Sequence, residues 1–72
     1  MNKELYLMLK SSAESDIARA KLSLKLLGKH AVGIGDHSTN DFYKNAEEAL
    51  NLLDNATSRL NTLEKYIAEI ND

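Results

Sequence analysis

The chain has 72 residues, no cysteine, no proline, three glycines and a formal net charge of −2. A single domain over residues 1–72 of this size buries only roughly 60% of the surface its unfolded form exposes, so it needs a stabiliser. Without cysteine that stabiliser is neither a disulfide nor a thiolate metal site, which leaves self-association. The acidic balance excludes the broadly basic domain of a duplex nucleic-acid binder, and no run of about 18 apolar residues exists to span a membrane.

At the N-terminus, Leu5–Leu9 is cut short by Lys10, Ser11 and Ser12, which is not the apolar core of a signal peptide, so a cytoplasmic protein is expected. From about Lys3 to Leu27 the pattern predicts a helix. Leu5, Tyr6, Leu9, Ala13, Ile17, Ala20, Leu24 and Leu27 fall within a stripe about 120° wide at about 100° per residue. From Ala13 the steps alternate four and three, a heptad; the two steps of four before it form a stutter. Met8, Leu22 and Leu26 make a second, sparser apolar stripe. Gly28 stands where a left-handed C′ residue would end the helix, with Lys25 and Lys29 suited to its negative end.

The connection from Gly28 to His37 holds all three glycines, both histidines, Val32 and Ile34. Three readings fit it. In the structural one, Val32 and Ile34 plug the end of a helical core, the glycines turn the chain, and Asp36 and Ser38 cap the next helix. In the second, His30, Asp36 and His37 supply nitrogen and oxygen ligands to a metal. In the third, Gly33 and Gly35 lead into a helix N-terminus whose free N–H groups would hold an anion, against the charge of Asp36. The structural reading alone accounts for the two aliphatics, and no cofactor is expected; a loop that recognises a partner is a further use of the segment.

A second helix is expected over about 39–70, capped by Ser38 with Asp41 at N3, or by Thr39 or Asn40. Its seam is unbroken: Phe42, Ala46, Ala49, Leu53, Ala56, Leu60, Leu63, Ile67 and Ile70 alternate steps of four and three. The three alanines predict a thin bundle at the loop end, and the leucines and isoleucines a thick one at the far end. Leu50 and Leu52, with Tyr43 and Tyr66, flank this seam on its two sides. The chain therefore reads as an all-α antiparallel two-helix hairpin. Leu9, Ile17, Leu24, Leu27, Phe42, Leu53, Leu60, Leu63, Ile67 and Ile70 form its self-association seam. Met8, Leu22, Leu26, Leu50 and Leu52 are surplus apolar surface for an oligomer or partner. Two hairpins closing into a four-helix bundle, a homodimer by preference, would bury that surplus.

Charge divides between the halves. Residues 1–28 carry five bases and three acids, residues 41–72 three bases and seven acids, which suits antiparallel neighbours. Lys3, Lys10, Lys21 and Lys25 share one side of the first helix and would serve an RNA-binding alternative, although nucleic acid is not the expected partner of an acidic chain. No catalytic constellation is present: there is no nucleophile–histidine–acid spacing, no His-Glu-x-x-His and no Glu-x-x-His for a carboxylate-bridged metal pair.

The segment Lys29-His-Ala-Val-Gly-Ile-Gly-Asp-His-Ser38, followed by an acidic helix with Leu-Glu-Lys-Tyr at 63–66, resembles short uncharacterised helical proteins of T4-like phages of marine cyanobacteria over about residues 29–66. The resemblance implies a viral protein acting in a bacterial cytoplasm, where a host protein could be its partner, and it transfers no functional residues. The architecture is also that of small plasmid-borne RNA-binding hairpin dimers, a likeness of fold only. The function expected from the whole sequence is a non-enzymatic protein-interaction or small structural or regulatory module that self-associates through its heptad seams.

Overall fold

Two amphipathic segments with heptad spacing and no internal proline dictate two long helices that must bury a stripe against each other. A computed structural model describes residues 1–30 and 39–71. It contains α1, Lys3–His30, and α2, Thr39–Asn71. They run antiparallel as a hairpin: Tyr6 meets Glu64 and Asp16 meets Arg59, so the paired number falls on α2 as it rises on α1. The molecule is 55 Å long and 16 by 13 Å across. At about 1.5 Å per residue, α2 alone runs nearly the full length.

Asn2 starts α1. Its side-chain Oδ1 accepts a hydrogen bond from the Leu5 N–H at 2.8 Å, and its carbonyl accepts one from the Tyr6 N–H at 3.1 Å. That is an N-cap serving the third helical position, with Glu4 adding negative charge to the first turn. The other end departs from expectation. Gly28 does not terminate α1, which continues through Lys29 to His30, and no described glycine takes a positive φ. Glycine is a permitted helical residue at a modest cost, and no backbone clash forces a turn there. On α2, Thr39 is already helical and Asp41 supplies the acidic first turn. Val32, Gly33, Ile34, Gly35, Asp36, His37 and the Ser38 cap lie outside the described residues.

The core is made almost wholly of alanine. Among the described residues, Ala13 and Ala20 of α1 and Ala49, Ala56 and Leu63 of α2 are the buried apolar ones, and Ala20 and Ala56 are 0% exposed. Each set repeats at seven, so one of the two heptad positions on each helix faces the other helix. Methyl groups at that position let the backbones approach closely. The alternate heptad position carries the larger side chains: Ile17 and Leu24 on α1, Leu53, Leu60 and Ile67 on α2. All five remain half-buried. Thus, of Leu60, Leu63, Ile67 and Ile70, from which a thick far end is expected, only Leu63 is buried within one hairpin. Leu60 and Ile67 keep solvent contact because the alanine line draws the helices together and pushes them to the flank, and Ile70, on the inner position with Leu63, is exposed near the end of α2.

Three substitutions test this account. Ala56→Leu should cost about 1–3 kcal/mol in urea denaturation followed by circular dichroism, because the added volume must part the helices. Ala18→Leu, on an exposed position, should stay within about 0.5 kcal/mol of the parent. Gly28→Ala should stabilise by about 0.5–1 kcal/mol, since a Cβ built there meets nothing within 4 Å and the helical φ suits alanine. Destabilisation by Gly28→Ala would contradict a helical Gly28.

Candidate interaction surface

The alanine line divides the hairpin into two long faces. At about 100° per residue, Asp16 and Ile17 leave α1 on opposite sides of Ala13 and Ala20, and Arg59 and Leu60 leave α2 on opposite sides of Ala56 and Leu63. Asp16 and Arg59 contact each other, so they mark one face. Ile17, Leu24, Leu53 and Leu60 lie on the other.

The face marked by Asp16 is polar along its middle. The Asp16 carboxylate takes one guanidinium on each oxygen: Arg19 Nη2 donates to Oδ1 at 3.2 Å and Arg59 Nη2 donates to Oδ2. Arg59 Nε also donates to Asn55 Oδ1 at 2.9 Å, one helical turn away. Asp16 is 24% exposed against 68% for Arg19 and 40% for Arg59, so these are solvent-edge ion pairs. Such pairs contribute at most about 1 kcal/mol. Toward the termini the face opens into a shallow groove of about 440 Å³ floored by Leu9 and Leu63, with Ser12, Thr62, Arg59 and Tyr66 on its walls. Leu27 and Leu52 line a smaller hollow of about 390 Å³ toward the other end.

The opposite face is aliphatic from the loop end to mid-length. Leu24 and Ile17 from α1 align with Ala46, Leu53, Leu60 and Ile67 from α2, all half-buried. Exposed Leu50 and Tyr43 extend it along the outer flank of α2. Toward the termini the α1 heptad position passes to Lys10 and Lys3. There the Tyr6 hydroxyl donates to Glu64 Oε1 at 2.7 Å, and Lys10 Nζ stands 5.7 Å from the Tyr6 ring centroid. The bond to the Glu64 carboxylate raises the Tyr6 pKa above its ordinary value, with partial desolvation and the Glu64 charge adding to it and Lys10 opposing.

The residues expected to matter are distributed unevenly between these surfaces. Met8, Leu22, Leu26 and Leu50 are exposed, whereas Leu52 is half-buried on the polar face, on the other side of α2 from Leu50. Phe42 and Leu27 are half-buried, Leu63 is buried, and Leu9 and Ile70 are exposed. Phe42 packs edge-to-face on Tyr43, ring centroids 5.9 Å apart. Lys3, Lys21 and Lys25 are exposed and Lys10 is half-buried beside Tyr6. His30 is the last residue of α1; its candidate co-ligands Asp36 and His37, and the glycines at 33 and 35, lie outside the described residues. Among the described residues, no three metal-ligating side chains converge, and no helix is long and apolar enough to cross a membrane.

Neither the Asp16–Arg59 tie nor the Tyr6–Glu64 bond was identified from the sequence. The local halves were visible there, Asp16 to Arg19 at three and Asn55 to Arg59 at four. The cross-helix halves depend on register, which a repeating seam does not specify.

The raised Tyr6 pKa has a definite sign. The folded phenol keeps its proton to higher pH than the unfolded one, so its stabilisation is complete below the ordinary phenol range near about 10 and is lost as pH rises through the folded value. Stability against urea should therefore fall more steeply above about pH 10 in the parent than in Tyr6→Phe. Parallel alkaline declines in the two proteins would remove the Tyr6–Glu64 bond from the account.

No protein-family model, no curated protein and no solved structure matches the chain.

Proposed function

We propose that this protein is a non-enzymatic association module, a helical hairpin whose hydrophobic surface is completed by helices from outside the hairpin to give a four-helix bundle. One observation carries this reading. Among the described residues no large side chain is fully buried, while Ile17, Leu24, Leu53, Leu60 and Ile67 form one half-open aliphatic band. Apolar surface left in water forgoes roughly 25 cal/mol per Å². The band has the heptad spacing that a further helix would engage.

A role in scaffolding or regulation through such contacts fits a chain whose described side chains form ion pairs and helix caps rather than a convergent polar cleft. The resemblance to phage proteins supports a setting in a bacterial cytoplasm, where a host helical protein would compete for the same band.

Light scattering after size exclusion, over a hundredfold dilution, tests the reading. The expected mass is at least twice the 8.0 kDa of one chain. Leu60→Asp should lower it to one chain or unfold the protein, because a carboxylate in the band loses solvation on assembly. A parent protein that stays at 8.0 kDa and folded at every concentration overturns the proposal.

A further inference from the structure

Resting on that reading, we infer that the occupant of the aliphatic face is a second copy of this chain, packed with α1 of each hairpin on α2 of the other, so that both interhelical connections lie at the same end. The charge of the two helices carries the inference. α1 has six bases (Lys3, Lys10, Arg19, Lys21, Lys25, Lys29) against three acids (Glu4, Glu14, Asp16). α2 has six acids (Asp41, Glu47, Glu48, Asp54, Glu64, Glu69) against three bases (Lys44, Arg59, Lys65). One hairpin therefore holds both members of a complementary pair, and a second copy supplies what each lacks.

Size agrees with a self-interface. The hairpin is 55 Å long and 13 to 16 Å across, so one long face is comparable in extent to the ~800 Å² per partner that a standard interface buries.

Two hairpins stacked face to face about a two-fold axis have two choices. If the axis lies across the helices, the connections sit at opposite ends and like helices stack, α1 on α1 and α2 on α2, both antiparallel. The midpoint of α1 then sets Lys10 against the partner's Leu24, with basic helix on basic helix and acidic on acidic. If the axis runs along the helices, the connections share an end and each α1 lies on the partner's α2. Levels then follow those already fixed within the hairpin by Tyr6–Glu64 and Asp16–Arg59. Leu24 comes over the small partner's Ala46, Ile17 over the partner's Leu53, and Lys10 over the partner's Leu60 and Glu64. The Lys10 stem then covers Leu60 while its ammonium reaches a carboxylate at the edge. Only the second choice gives half-buried Lys10 an acidic neighbour on the partner, and charge complementarity of this kind fixes orientation more than it adds affinity.

The chain contains no cysteine, so single labels can be placed cleanly. Spin labels at Asn71→Cys and, in a separate protein, Asn40→Cys mark the two ends of α2 on exposed positions. Distances between labels in the dimer are measured by double electron–electron resonance. Connections at one end predict separations under about 30 Å at both sites. Connections at opposite ends predict about 50 Å at both, from a rise of about 1.5 Å per residue over half the helix on each side. A long distance at either site overturns the arrangement while leaving self-association intact. A protein with no dipolar coupling and the mass of one chain overturns the self-association itself.

Discussion

The burial of alanine between the helices, at Ala13 and Ala20 of α1 and Ala49 and Ala56 of α2, sets the rest of the structure. Two helices joined by methyl groups come closer than two joined by leucine. Close approach splits each heptad into a position that faces inward and one that faces aside. Ala20 and Ala56 lose all solvent contact, yet each contributes little apolar area. The side chains with area to bury, Ile17, Leu24, Leu53, Leu60 and Ile67, are held at the flank and covered on one side only. A larger residue on the inner position would separate the helices, engulf these flanking groups less well still, and lose the band.

Polar contacts across the hairpin act on register rather than on total stability. A seam that repeats every seven residues is compatible with a slip of one heptad, which would move Ala56 from one methyl layer to the next. Asp16 to Arg59 and Tyr6 to Glu64 exist in one register only. Both lie at the solvent edge, where individual pairs are weak, but a slip would break them together and leave Asp16 to Arg19 alone. The Asp16 carboxylate, less exposed than either arginine, is the shared element of that specification.

Much of this was legible in the residue order. The unbroken step pattern from Phe42 to Ile70 announces α2, and the glycine cluster between 28 and 35 separates it from α1. What periodicity alone does not show is which of the two heptad positions turns inward. Leu60 and Leu63 look equivalent in a seam, yet Leu63 is buried and Leu60 is not, because Leu63 shares its position with Ala49 and Ala56. Size decides between them: the smaller set permits the closer approach. Gly28 misleads for a related reason, since glycine favours a helix end only where the backbone must turn, and α1 stays helical through Gly28 to His30. The Asn2 cap lies outside the apolar pattern from which the start of the first helix is read.

The difference between the two faces bears on how far assembly can go. An isologous contact uses the same patch on both partners and is complete after two copies, whereas complementary patches on different faces propagate. Here the aliphatic band lies on one face, and the opposite face carries Asp16, Arg19, Asn55 and Arg59 already bonded to one another along its centre. Stacking a further hairpin on that side would bury these ion pairs without new partners, at a desolvation cost that exposed pairs of this kind do not recover. Met8, Leu22 and Leu26 stay at the outer edge of α1, away from the band. They are separated from the aliphatic face by Lys21 and Lys25 and offer no continuous surface to a third helix pair. On the proposed reading, a two-hairpin bundle would cover the aliphatic band while the polar face stays in water.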